Sequence, residues 1–221
     1  MCDVIPFISI LYPKDIVLER EISQLFNEKI IAVFTSRHAI EAIRNFQGIQ
    51  NARWKIYCTG HSTARLAAKI FLFSFISGTA DDAASLAQQI VKKEAGSEIY
   101  FFCGDLRRDD LPKIAGAELS VMELIVYNTK MTPVKTEEEY QGIIFLSPSA
   151  VKSFFSLNKP SASTLMFAIG NTTAAEIKQF CDNRILTGNE TSIESLLDTL
   201  IDEIQPVKRG MLPDNTAYDK K

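Results

Sequence analysis

The chain repeats itself at about half its length, and no other feature limits its fold as much. Phe34-Thr35-Ser36-Arg37-His38-Ala39-Ile40 returns as Phe145-Leu146-Ser147-Pro148-Ser149-Ala150-Val151, 111 positions on. Gly60-His61-Ser62-Thr63-Ala64 returns as Gly170-Asn171-Thr172-Thr173-Ala174, 110 positions on. Gly78, with Leu86 behind it, returns as Gly188 with Leu196 at the same interval of 110. Blocks that keep order and spacing imply two like domains, and a cleft between them is where a ligand is expected. The 221 residues suffice for two small domains, and 46% hydrophobic residues with 14 Phe can fill two cores.

Short apolar runs alternate with segments of helical period. Val4–Ile10, Ile30–Phe34, Lys55–Cys58, Phe73–Ile76, Glu98–Phe102, Ser120–Thr129, Gly142–Leu146, Leu165–Ala168 and Arg184–Thr187 read as strands. Ile16–Phe26, Arg37–Phe46, Ser62–Ile70, Ala83–Lys93, Arg107–Ile114, Ala150–Phe155, Ala174–Phe180 and Ile193–Ile204 read as helices. Such alternation builds an α/β protein of two similar, flavodoxin-like parallel sheets with covered faces. The second half is one strand and one helix short of the first, because only 205–221 follows its last helix. Residues 207–221 are rich in Pro, Gly, Asn, Asp and Lys and read as a disordered tail.

Several function classes are disfavoured at once. A net charge of −3 offers no cationic face for nucleic acid. The longest apolar stretch, near Ala67–Ile76, is too short to span a membrane, and Lys69 interrupts it. Cys2, Cys58, Cys103 and Cys181 are scattered without metal spacing and read as reduced thiols of a cytoplasmic protein. No metal or cofactor is expected, and no glycine motif supports nucleotide binding.

The strand-to-helix turns carry the candidate site. Thr35, Ser36, Ser62, Thr63, Ser147, Ser149, Thr172 and Thr173 stand there, with Gly60, Gly104 and Gly170 giving tight turns. Their hydroxyls read first as helix caps, with Ser147-Pro148 a helix start and Thr173-x-x-Glu176 and Thr191-x-x-Glu194 capping boxes. The same turns aim backbone N–H groups at the carboxyl edge of a sheet, where open α/β proteins bind ligands. Arg37, His38, His61, Arg107 and Arg108 are nearby cations. Of these, Arg108 reads better as a solvated arginine, Arg37 reads equally as one or as a cleft cation, and His38 reads as packing or surface rather than an acid–base group.

At these residues the chain resembles the uroporphyrinogen-III synthase family over roughly residues 4–204. The resemblance rests on Phe34-Thr35-Ser36 with Ala39-Ile40, Gly60-x-Ser62-Thr63-Ala64, Gly104-x-x-Arg107-x-x-x-Leu111, Val126-Tyr127-x-Thr129, Phe145-x-Ser147-Pro148-Ser149-Ala150-Val151 and Ala168-Ile169-Gly170-x-Thr172-Thr173-Ala174. It implies that one small domain, 12–119, is inserted into another, 130–206, with residues 1–11 and 120–129 as a two-stranded hinge. It also implies that the family's opening strand and helix are missing before Met1, which is the unit the repeat finds absent. An alternative start, a shortened gene model and a natural deletion all stay open.

The implied activity is a lyase reaction that needs no cofactor. Hydroxymethylbilane, a small linear tetrapyrrole with eight carboxylates, loses water and closes with its last pyrrole inverted. Tyr127 is implied as the group that donates a proton to the departing hydroxyl. Thr35, Ser36, Ser62, Thr63, Gly104, Arg107, Ser147, Ser149, Gly170, Thr172 and Thr173 are implied as substrate-binding. A monomer is expected, with the preceding pathway enzyme as a possible partner and neither nucleic acid nor membrane. A two-lobed carboxylate-binding module, or an inactive truncated homologue, is the competing reading.

Overall fold

In the computed structural model the described residues are 2–188 and 192–204. Two compact units emerge, one running to Glu137 and including Ser149–Lys159, the other comprising Glu138–Pro148 and Pro160 onward. The first holds β1 (Ile8–Leu11), α1 (Ile16–Leu25), β2 (Ile31–Phe34), α2 (Arg37–Ile43), β3 (Lys55–Thr59), α3 (His61–Ile70) and β4 (Phe75–Ala80). It continues through α4 (Ala83–Lys93), β5 (Glu98–Gly104), α5 (Asp110–Ala115) and β6 (Ser120–Met131). The rest of the chain adds β7 (Gly142–Phe145), α6 (Pro148–Phe155), β8 (Leu165–Ala168), α7 (Asn171–Ile177), β9 (Ile185–Thr187) and α8 (Ile193–Ile204).

The first sheet has the order β1-β6-β5-β2-β3-β4. All its pairings are parallel except that of β1 with the far half of β6, where Ile8 faces Met131 and Leu11 faces Asn128. Side chains alternate across the strands and feed two cores. Ala32, Phe34, Ile56, Cys58 and Phe102 face α1, α2 and α3 through Ile22, Phe26, Ile40, Ile43 and Ala67. Val33, Tyr57, Phe101 and Cys103 face α4 and α5 through Leu86, Ile90, Leu111 and Ala115. A sheet covered on both faces follows from strands whose central positions are apolar on both sides, as in Ala32–Val33–Phe34 and Ile56–Tyr57–Cys58. From β2 the chain steps outward to β3 and β4, then returns to place β5 on the other side of β2. The carboxyl ends of β2 and β5 therefore flank the point where the winding reverses, the usual ligand position in open α/β sheets.

The second sheet is β7-β8-β9, all parallel. It repeats β2-β3-β4 strand for strand, and the repeat extends to burial. His61–Ala67 and 171–177 follow one pattern of exposed, half-buried and buried positions, with Thr63 and Thr173 inside. The third repeat block has a packing reason. A Cβ on Gly78 would lie 2.8 Å from the Tyr57 ring, and one on Gly188 would lie 2.9 Å from the Leu196 backbone nitrogen. These glycines let the chain pass close to its neighbours, and Leu86 and Leu196 are then fully buried.

Some local expectations change. β1 starts at Ile8, leaving Val4 exposed, and β4 runs on to Ala80. Helix α6 starts at Pro148 as the Ser-Pro pair predicts. Thr173 is not a cap: Gly170 takes that position and α7 begins at Asn171, which puts Thr173 in the buried first turn. At α8 the Ser192 hydroxyl accepts from Ser195 N–H at 3.1 Å, so Ser192 plays the capping part expected of Thr191. Thr191 and the expected tail at 207–221 lie outside the described residues.

Candidate active site

The winding reversal in the first unit gathers Thr35, Ser36, His38, Gly104, Asp105 and Tyr127. Ser36 has extended backbone and caps α2, its Oγ accepting from the His38 N–H at 3.2 Å. Thr35 lends its carbonyl to the Thr59 hydroxyl at 2.9 Å, which ties the ends of β2 and β3 together. Gly104 ends β5 opposite Tyr127 on β6. A Cβ there would sit 2.4 Å from Tyr127 Cζ and 2.9 Å from its hydroxyl oxygen. Gly104 thus exists to let the tyrosine ring lie against the β5 backbone. Its role is close approach, not an unusual dihedral, since its φ is not among the positive ones.

Asp105 locks this arrangement. Its N–H donates to the Tyr127 carbonyl at 3.1 Å, and its Oδ1 accepts from Thr129 N–H at 2.8 Å and Leu106 N–H at 2.9 Å. The backbone on both sides of Tyr127 is therefore held. Burial raises the phenol's pKa, and a hydrogen bond from Ser36 works the other way. The Ser36 hydroxyl has one hydrogen. If it accepts from His38 N–H and donates to the phenol oxygen, Tyr127 keeps its own proton free to point elsewhere. The His38 ring stands 5.8 Å from the Tyr127 ring, centroid to centroid, tilted by 59°.

Arg107 begins no helix. It lies in the turn after Gly104, its N–H donating to the Gly104 carbonyl at 3.2 Å. Its guanidinium bonds Glu123, and Asp109 at 2.6 Å. Those carboxylates already balance its charge, and α5 is delayed to Asp110. Ser62 is exposed on the first turn of α3, whereas the Thr63 side chain is 5% exposed. Gly60 caps α3 at φ +69, a left-handed position that suits glycine.

In the second unit Gly170 is extended, Thr172 is exposed and Thr173 is 1% exposed. The Thr173 hydroxyl has no hydrogen-bond partner among the described residues. At both α3 and α7, then, the buried threonine packs the helix down. The hydroxyl one residue earlier is exposed in both helices, beside first-turn N–H groups that a helix leaves without an internal partner. Ser147 and Ser149 are half-buried around the start of α6.

The sequence profile of uroporphyrinogen-III synthase HemD matches residues 2–198. The chain belongs to the uroporphyrinogen-III synthase family. It is accordingly a lyase of tetrapyrrole biosynthesis. No curated protein matches it. Its structure is similar to uroporphyrinogen-III synthetase from Helicobacter pylori, at 18% identity and a TM-score of 0.63 over 90% of this chain and 91% of that one. A mutant uroporphyrinogen III synthase from Thermus thermophilus is similar at 14% identity and a TM-score of 0.61, covering 88% and 86%. At such identities the structural likeness speaks for the shared fold. Among the described residues no helix is long and apolar enough to cross a membrane, and no cluster of metal-ligating side chains occurs.

Proposed function

We propose that this member of the family cyclises hydroxymethylbilane, with Tyr127 giving a proton to the departing hydroxyl. The observation that carries the reading is the half-buried Tyr127 side chain at the winding reversal, with the Gly104 backbone against its ring and the Ser36 side chain near enough to pull its pKa down. Burial keeps the proton on oxygen until it is needed, and the Ser36 hydrogen bond eases the negative charge that grows as it leaves. The C–O bond breaks, water departs and an azafulvene cation remains. Ring closure through a spiro intermediate and rearrangement then releases a proton, which restores the phenol.

Shape does the rest. The linear tetrapyrrole closes unaided to the uninverted isomer, so the protein must favour one closure over another. A hundredfold to thousandfold bias needs about 3–4 kcal/mol of differential stabilisation. Positioning alone reaches that range. We assign the carboxylate side chains of the substrate to Thr35, Ser62, Ser147, Ser149 and Thr172 and to the helix N–H groups after Gly60 and Gly170. Thr63 and Thr173 contribute those N–H groups rather than their hydroxyls, Ser36 contributes through Tyr127, and Arg107 contributes once it yields Glu123 or Asp109. The ribbon of β1 with the far half of β6 corresponds to the family's crossing strands, with 12–119 as the inserted domain and 130–206 as the other. A cytoplasmic monomer that receives its labile substrate from the preceding enzyme completes the reading.

Freshly prepared hydroxymethylbilane, incubated with the protein and resolved by isomer, tests it. Excess inverted isomer supports the assignment, and Tyr127→Phe must cut its rate at least tenfold. The uninverted isomer alone would leave only a binding module.

A further inference from the structure

We propose that His38 is a positioning residue for Tyr127, holding the phenol in the pose from which its proton is given; this rests on the reading of Tyr127 above. The Tyr127 ring packs against the first core, and three neighbours bear on its pose. Gly104 lies against it through backbone, Ser36 meets its oxygen, and the His38 imidazole stands 5.8 Å away at a 59° tilt, within the range of favourable aromatic pairs. The first two fix depth and oxygen position. The imidazole limits how far the ring can swing.

His38 is built to be rigid. Its backbone N–H is held by the Ser36 hydroxyl at 3.2 Å, which fixes the start of the helix that carries the ring. The next two residues, Ala39 and Ile40, are fully buried in the core and anchor the helix turn that carries it. Its Nδ1 is enclosed and has no hydrogen-bond partner among the described residues. An enclosed polar atom without a partner is costly, and a residue present only as surface would avoid that cost. The ring is therefore used for its shape, as a neutral aromatic wall. Burial and then Arg37 push its pKa below the ordinary histidine value, against the pull of Glu41 on the same helix, so the wall is uncharged near neutral pH. Tyr127 faces it from β6, and Tyr12, which follows β1, lies close enough to Tyr127 and Glu41 to feel both electrostatically.

A double-mutant cycle on the full chain tests this. His38→Ala lowers kcat about tenfold and leaves KM within about twofold, as expected for a slightly misplaced donor. In a Tyr127→Phe background the same change costs less than about twofold, because the residue it positions no longer has a proton to give. His38→Phe, which keeps an aromatic wall, recovers most of the rate. Equal losses in both backgrounds, or no loss in the native one, overturn the proposal. Should the alanine variant not fold, His38→Asn replaces it in the cycle. A second measurement needs no turnover: the difference between ultraviolet pH titrations of the native chain and Tyr127→Phe isolates the Tyr127 phenol. His38→Ala must move that ionisation toward ordinary tyrosine. An unmoved titration sinks the role of His38 even if Tyr127→Phe is fully active, which would itself sink the proton-donor reading.

Discussion

An alanine at position 104 drives its methyl group into the Tyr127 ring. The methyl carbon would stand 2.4 Å from Cζ, 2.5 Å from Cε2 and 2.9 Å from the phenol oxygen. Carbon atoms settle near about 3.5–4.0 Å, so the ring must retreat by roughly 1 Å or more. The β5 backbone has little room to move instead, because Phe102 and Cys103 just before it are buried in the two cores. Overpacking of this kind costs about 1–3 kcal/mol of stability. The larger effect is on rate. A donor moved by about 1 Å loses on the order of a hundredfold in kcat. Gly104→Ala is therefore expected to fold and to fall close to the activity left in Tyr127→Phe, with no further loss when the two are combined. Formation of the inverted isomer, followed by chromatography after oxidation to the porphyrin, reads this directly, and thermal melting shows that the variant is folded. A folded Gly104→Ala protein with native kcat would refute both the role of Tyr127 and the claim that Gly104 makes room for it.

Four other outcomes follow from the same structure. Thr173→Val removes a buried hydroxyl that has no partner among the described residues and should stabilise the protein by about 1 kcal/mol in urea unfolding, with KM unchanged; destabilisation would mean that the hydroxyl is in use. Gly60→Ala should cost about 1–2 kcal/mol at unchanged m-value, since φ +69 strains any residue with a Cβ although nothing crowds it. Glu94 is opposed by burial, yet hydrogen bonds from Tyr57 and Lys55 hold its pKa below the ordinary 4.5. Its contribution is therefore complete above that value and disappears as pH falls through the lowered one, so the acid loss of stability should shrink in Glu94→Gln. Burial pushes the Cys58 and Cys103 thiols up to about 12, so a thiol reagent at pH 8 should label Cys2 and Cys181 in the native protein and all four only after unfolding.

Strand and helix placement was legible because each element is short, strongly apolar and bounded by turn residues. Ala83–Lys93 and Leu165–Ala168 match to the residue. The departures arise where a side chain outside the segment decides. Arg107 looks helical, but Glu123 on β6 and Asp109 hold it in a turn. Thr173 looks like a cap, yet α7 begins two residues earlier, at Asn171, and the threonine lies buried in its first turn. The contacts of Gly104, Asp105 and His38 with Tyr127 and Thr129 reach across 22 to 89 positions of chain, which periodicity does not encode. A signal for Gly104 was nonetheless present: a glycine directly after the apolar run Tyr100–Cys103, where another β-former would be natural, marks a close approach.

The repeat also explains how a symmetric framework supports an asymmetric reaction. The turns at Ser36 and Ser147, at Gly60 and Gly170, and at Ser62 and Thr172 correspond, so each half offers hydroxyls and N–H groups of the same kind. A polycarboxylate needs several such places and makes no distinction between them. The proposed proton donor does not repeat. Tyr127 lies on β6, a strand without a counterpart among the described residues of the second half, and position 38 is histidine where the second half has Ser149. On the proposed reading, the proton donor belongs to the first half alone and only the carboxylate-binding groups repeat. Replacing Ser149 with histidine should accordingly raise KM by removing a carboxylate-binding hydroxyl without raising kcat or changing the isomer ratio, because among the described residues no phenol stands beside β7's carboxyl end in its own sheet to be positioned; a gain in kcat would show that the second half carries chemistry as well.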